Sequence, residues 1–395
     1  MILWQAICGI LMEDIMENFL GKYFDMVKDQ LGTLDFPMSF LSDSHTNVEK
    51  WQKEARALLS RLLNYNPPKM PFDTVVHDEY VKDGLIYRHI SYAQPYGPRT
   101  EGIFMRPEKS EGNLPGFIGL HDHGAYKYYG KEKITSPKNS PAVMAEYKKH
   151  YYGGRSWASE LAKRGYAVFV PDLFLWGSRK IRPEDIAPRF TKEWHDGLKS
   201  PLDSNEYIDA YNSYASLAEG YIAKSLLEAG TTFPGVAVYD DMRAVDFLLS
   251  EPGVDAGNIG CCGLSGGGLR TVLLAAMDNR VKCTCCVGFM STSADFAQYK
   301  TYTHTWMMYI PGLHNLMDFT DLYSLHGEKP TMVLYDIDDP LYTKQGQEDA
   351  DKRFKAIYAK MGAPELYAGH FFPGGHKFDA EMQETAFDFF DKWLK

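Results

Sequence analysis

Three short segments of this 395-residue chain carry residue types that could do covalent chemistry together. In "GCCGLSGGGLR", Ser265 stands in a Gly-x-Ser-x-Gly pattern between Gly263 and Gly267. An apolar run precedes it and an Ala/Leu-rich helical pattern follows, the strand-turn-helix setting that presents a nucleophile. Glycines around the serine admit strained dihedrals and close backbone approach. The start of the following helix offers N–H groups and a partial positive charge to a developing oxyanion. A serine hydroxyl attacks poorly unless a base takes its proton. "FFPGGHKFD" supplies His376 after the last expected strand, whereas the alternative, His370, falls inside that strand's pattern. The base in turn needs a carboxylate to fix its tautomer and orientation. "TMVLYDIDDPLYT" offers Asp336, Asp338 and Asp339. Asp339 lies deepest in the loop, pinned by Pro340, and is the preferred acid; Asp338 and Asp336 are the alternatives.

Such groups must be held by a rigid frame. Apolar strand candidates occur at 116–121, 166–172, 258–265, 281–288, 331–336 and 365–372. A hairpin around "KDG" precedes them, beginning near Phe72. Their apolarity is continuous rather than alternating, which suits strands buried on both faces. Helical patterns separate them: "WASELAKRG", "NEYIDAYNSYASLAEGYIAKSLLEAG", "VYDDMRAVDFLLS", "LRTVLLAAM", "KQGQEDADKRFKAIYAKMG" and the final "DAEMQETAFDFFDKWLK". This alternation predicts an α/β fold, a doubly wound and mostly parallel sheet over 72–395. Residues 1–71 read as a helical extension in two segments. The first begins at Met12; the second aligns Trp51, Ala55, Leu58, Leu59, Leu62 and Leu63 on one face. An exposed apolar face needs cover, so the extension is expected to act as a lid or as a contact between copies in a homo-oligomer.

Taken together, "GLSGGG", "DIDDPLYT" and "PGGHKF" resemble the nucleophile, acid and histidine loops of the α/β-hydrolases, in the Ser-Asp-His chain order of that superfamily. "LHDHGAYKYYGKEK" resembles the oxyanion loop, and "YAVFVPDLFLWGSR" the strand and loop before the nucleophile. The closest likeness is to esterases of the dienelactone-hydrolase and acetylxylan-esterase-like branch. The resemblance implies an oxyanion hole formed by the N–H of Gly266 and, from the loop after "HDHG", that of Ala125, with Gly124 as the alternative. Ala125 stands where a glycine is common, and the Arg that follows the serine in glucuronoyl esterases is missing. His123, Trp176 and Trp306 are expected to line the substrate pocket, with His304 beside them.

The bulk properties narrow the function further. With 52 acidic against 42 basic residues, the net charge of −10 disfavours nucleic acid and anionic membranes as partners. The N-terminal apolar run is short, has no preceding Lys or Arg and is followed at once by acids, unlike a signal peptide. A cytoplasmic location is expected, and Met12 or Met16 would also serve as a start. The clustered cysteines (Cys261, Cys262, Cys283, Cys285, Cys286) lie on two strand patterns and read as buried free thiols. His121 and His123 in "HDH" lack further ligands at convincing spacing, so no metal and no cofactor is expected. The expected function is a serine carboxylesterase acting through an acyl-enzyme on a small or carbohydrate-linked ester. A peptidase or amidase of the prolyl-oligopeptidase type, or a non-catalytic scaffold, is the alternative.

Overall fold

The computed structural model describes residues 19–395. The expected helix start at Met12, and the alternative starting methionines, lie outside the described residues.

Nine strands form one sheet: β1 (Val75–Lys82), β2 (Leu85–Tyr92), β3 (Thr100–Pro107), β4 (Leu114–Leu120), β5 (Ala167–Pro171), β6 (Val254–Leu264), β7 (Val281–Val287), β8 (Thr331–Asp336) and β9 (Tyr367–Phe372). Their order is β1-β2-β3-β5-β4-β6-β7-β8-β9. The first three pair antiparallel, β3 meets β5 antiparallel, and every pair from β5 to β9 is parallel. Strand β3 is the one the sequence pattern does not announce, since Pro95, Gly97, Pro98 and its own terminal Pro107 mark the region as turn.

Helices cover both faces, as buried parallel strands require. On one face α4 (Trp157–Lys163) and α11 (Ala380–Leu394) pack Trp157, Leu161, Phe387 and Phe390 against Phe117 and Val168. On the other lie α6 (Phe233–Ser250), α7 (Gly266–Met277), α9 (Phe319–Ser324) and α10 (Lys344–Met361). Helix α2 (Val48–Leu63) joins this second layer. Asn47 caps it, accepting from Lys50 N–H at 2.8 Å. Its residues Trp51, Ala55, Leu59 and Leu63 are buried, with Leu58 and Leu62 half-buried. Arg56 and Gln52 then donate to the carbonyls that end α7 and α9, Ala276 O at 2.6 Å and Leu325 O at 2.8 Å. The apolar face of α2 is thus covered by its own chain. Helix α1 (Phe24–Gly32) buries no residue; its Phe24 ring lies 5.8 Å from that of Tyr299.

Two insertions rise above the strand ends. One, 173–232, contains the long helix α5 (Asn205–Glu228); the other runs from 289 to 318 and includes the one-turn α8 (Ser293–Asp295). The remaining helix, α3 (Val143–Tyr152), follows the loop after β4. No helix among the described residues is long and apolar enough to cross a membrane.

Candidate active site

Strand β6 ends at Leu264, and Ser265 takes up φ 59°, ψ −120° before α7 starts. A side chain held in the left-handed region at a strand-to-helix turn stores strain that its surroundings must offset. Two backbone hydrogen bonds do so: Ser265 N–H donates to Val287 O at 2.8 Å, and Leu269 N–H donates to Ser265 O at 2.9 Å. Neighbouring backbone comes so near that a Cβ on Gly267 would lie 2.2 Å from Leu120 O. That is why this turn needs glycines where the serine itself does not.

His376 and Asp339 meet as the loop lengths require. Asp339 is buried, and its Oδ2 lies 2.6 Å from His376 Nδ1. Asp338 is exposed, and its Oδ2 accepts from Gly374 N–H at 2.9 Å, pinning the histidine loop instead. Asp336 is buried at the strand end and accepts from Lys377 N–H at 3.1 Å, while its Oδ1 has no partner. Burial pushes the Asp336 carboxyl up to about 7, against the pull of the Lys377 N–H and His376. For His376, burial alone would lower the pKa; the hydrogen bond and charge of Asp339, with Asp336 and Asp122 behind, outweigh it and leave the imidazole above its usual value. His370 is an exposed residue of β9. Among the described residues, Asp336, Asp339 and His376 are the one group whose ligand-type atoms converge within 4.8 Å, as a cation site would need. The His376–Asp339 hydrogen bond accounts for that convergence.

Ser265 and His376 line the same cavity of about 850 Å³, together with Gly266, Leu264, Phe289 and Tyr342. Among the described residues no hydrogen bond links Ser265 Oγ to His376. Catalytic hydrogen bonds are often long before substrate binds.

The loop after β4 departs from expectation. Gly124 and Ala125 both have positive φ, 55° and 48°, which folds the loop back over the His123 ring. As a result Ala125 N–H donates to His123 Nδ1 at 3.0 Å and is not free for a substrate oxygen. Gly124 is turned toward Tyr147, whose hydroxyl would lie 2.0 Å from a Cβ placed there. The N–H that stands beside the nucleophile turn is that of His123: a Cβ on Gly266 would lie 2.7 Å from His123 N. Among the described residues neither His123 N–H nor Gly266 N–H has a hydrogen-bond acceptor. Of the loop N–H groups, that of His123 rather than the expected Ala125 therefore stands beside the nucleophile turn.

Trp176 is also displaced from its expected place. It is fully buried beneath the loop rather than lining the cavity, because Leu175 (φ 74°) and Gly177 (φ 54°) turn the chain there. Its indole N–H supports His123 O at 3.2 Å, and Lys127 Nζ stands 4.1 Å from the ring centroid. His123, His304 and Trp306 do line the cavity, Trp306 at its rim with 36% of its surface exposed. Burial lowers the pKa of His304 to about 4, so its ring is neutral. His121 and His123 do not converge as a metal pair. His121 Nδ1 contacts Asp122 O at 3.0 Å and its Nε2 accepts from Leu173 N–H at 3.3 Å, whereas His123 Nε2 turns to Glu219.

Glu219 is the residue that no motif marks. It lies on α5 between small neighbours, Ala215 and Ala223, one turn away on either side. A lone acid on an otherwise small, buried helix face was the available signal. Burial would raise its pKa, but His123 and Lys127 outweigh that and hold the carboxylate ionised.

The arrangement agrees with known relatives. A family model described as the C-terminal region of BAAT / acyl-CoA thioester hydrolases matches residues 242–348, the stretch holding Ser265 and Asp339. The Bacillus subtilis (strain 168) protein named "Putative hydrolase YtaP" is 26% identical over 344 residues, which is 86% of this chain and 99% of that one. A solved structure from Bacteroides fragilis NCTC 9343, titled a "putative acetyl xylan esterase", superposes with a TM-score of 0.66 at 16% identity, over 90% of this chain and 83% of its own. This chain has the α/β-hydrolase fold. A glucuronoyl esterase from Solibacter usitatus shares that fold at a TM-score of 0.59 and 14% identity, over 91% of this chain and 97% of its own. Within this fold, Ser265, Asp339 and His376 occupy the turns after β6, β8 and β9.

Proposed function

We propose that the protein is a serine carboxylic-ester hydrolase that works through an acyl-enzyme. His376 takes the proton of Ser265, whose Oγ attacks the ester carbonyl. The carbonyl oxygen, now negative, receives the N–H groups of Gly266 and His123. Collapse expels the alcohol, protonated by His376, and leaves Ser265 acylated; His376 then deprotonates a water that releases the acid. Asp339 keeps the His376 ring turned and stabilises its charged form. The single observation that carries this reading is the buried His376–Asp339 hydrogen bond of 2.6 Å in the same cavity as a strained Ser265.

The cavity favours a compact substrate. Leu264, Phe289 and Tyr342 give its lining apolar surface, while Glu219, Thr303 and Thr305 add polar groups beside Trp306. A small acyl group on a polar, for instance carbohydrate-linked, alcohol fits this mixture. The family match over 242–348 favours a second substrate, an acyl thioester, which the same serine chemistry would cleave. The test compares p-nitrophenyl acetate, acetylated sugars and acetyl-CoA with the wild type and Ser265→Ala. The proposal expects ester turnover that Ser265→Ala abolishes with unchanged thermal unfolding. Undiminished turnover in that variant would overturn it.

A further inference from the structure

Glu219 is buried on α5 and hydrogen-bonds to neither Ser265 nor His376, yet it gathers four donors from two separate loops. On one oxygen it meets His123 Nε2 at 2.9 Å and the ammonium of Lys127, both from the loop after β4. On the other it accepts from the Thr305 hydroxyl and, at 2.9 Å, from Trp306 N–H, both from the cavity rim. The partners settle the state of His123. Ala125 N–H donates to Nδ1, so Nδ1 carries no proton, and the Nε2–H must donate to Glu219. The ring is thereby clamped at both nitrogens. Its backbone is clamped as well, because His123 O accepts from Trp176 Nε1 and, at 3.1 Å, from Lys133 Nζ. Lys133 Nζ also donates at 2.9 Å to Asp122 O, the carbonyl of the peptide whose N–H stands beside Gly266, so the peptides on both sides of His123 are held.

We propose that Glu219 is a positioning residue that fixes the His123 N–H for the oxyanion and couples its position to the Thr305–Trp306 rim. The inference rests on the serine-hydrolase reading above. Donor placement matters most in the transition state, where the charge on the substrate oxygen is largest, so its loss lowers kcat more than it raises KM. A shift of an ångström in such a group costs up to about 100-fold in rate. The rim link has a structural reason. Trp306 lies against the helix turn that bears Glu219, since a Cβ on Gly220 would come 3.2 Å from Trp306 Nε1. A substrate that moves Trp306 therefore pulls on the carboxylate that holds His123.

The experiment is a double-mutant cycle on full-length protein with p-nitrophenyl acetate, each rate divided by the fraction of Ser265 that a fluorophosphonate labels. Glu219→Gln and His123→Phe are each expected to lower kcat by roughly 10- to 100-fold with KM within about two-fold. The double variant should fall no lower than the weaker single, since both break one link. Thr305→Val, which removes only a rim donor, should lower kcat several-fold and keeps the test open if a buried substitution fails to fold. Multiplying losses in the double variant, or an unchanged kcat in Glu219→Gln or Thr305→Val, overturns the inference while leaving the esterase reading intact. Activity that survives Ser265→Ala overturns both.

Discussion

Asp339 sets the working range of His376. The general base must be neutral, so turnover falls as pH drops through the His376 pKa, which Asp339 holds above the usual 6.5. In Asp339→Asn, burial is opposed only by the more distant charges of Asp336 and Asp122, so the acidic limb of the pH–rate profile should move to lower pH while kcat falls about 100- to 10,000-fold. A limb that stays in place would separate Asp339 from the base. Asp336 behaves in the opposite sense. Its folded pKa, about 7, lies above the unfolded carboxylate value, so it contributes stability below pH 4 that is lost as pH rises through 7. Asp336→Asn removes this penalty and should stabilise the protein at pH 8 relative to wild type by about 2–4 kcal/mol, with little gain at pH 4. Chemical denaturation at the two pH values reads the difference directly. At this scale the pairing of His376 with Asp339 and the approach of their loops to the cavity that Ser265 lines were legible, because each residue follows a strand and carries its own turn residues. The position of the His123 N–H beside Gly266 was not legible. It depends on positive φ at Gly124 and Ala125, and one turn of backbone shifts which N–H faces the nucleophile.

Elements explain why the frame read more clearly than its cover. Strands β4, β5, β7 and β8 are buried on both faces along most of their length and show it as continuous apolar runs. The cover is built from α5, whose helical pattern is legible, and from many single 3-10 turns, which leave no period to read. Glu219 acts from within that cover, so its role emerges only once α5 is placed over the loop after β4. Helix α2 shows the converse case: its face was legible, but its destination was not. Trp51 is 1% exposed and donates its indole N–H to Met38 O at 2.8 Å. Trp51→Ala should cost about 3–5 kcal/mol, read as a lowered denaturation midpoint, with kcat per folded molecule unchanged. A loss of activity without loss of stability would give α2 a role at the cavity instead.

At the scale of the whole molecule, the segment before the sheet and the sheet domain share one core. Phe40, Trp51, Leu59 and Leu63 lie in the same apolar cluster as Leu269, Val272, Leu322 and Phe354. A fragment starting at Phe72 would expose that surface and should aggregate or bind a hydrophobic dye, whereas the full chain should unfold in one transition. A soluble, active fragment would contradict the shared core. Around the start of helix α1, Phe19, Tyr23 and Met26 are exposed, with the Phe19 ring 5.1 Å from that of Tyr302. All of these elements converge on the turn at Ser265, and the chemistry proposed there leaves a covalent trace. The most direct measurement is mass spectrometry of protein quenched in acid during turnover of p-nitrophenyl acetate. The account predicts one acetyl group on the peptide that contains Ser265, absent in Ser265→Ala. Steady turnover with no acylated Ser265, or with acetyl on another residue, would contradict it.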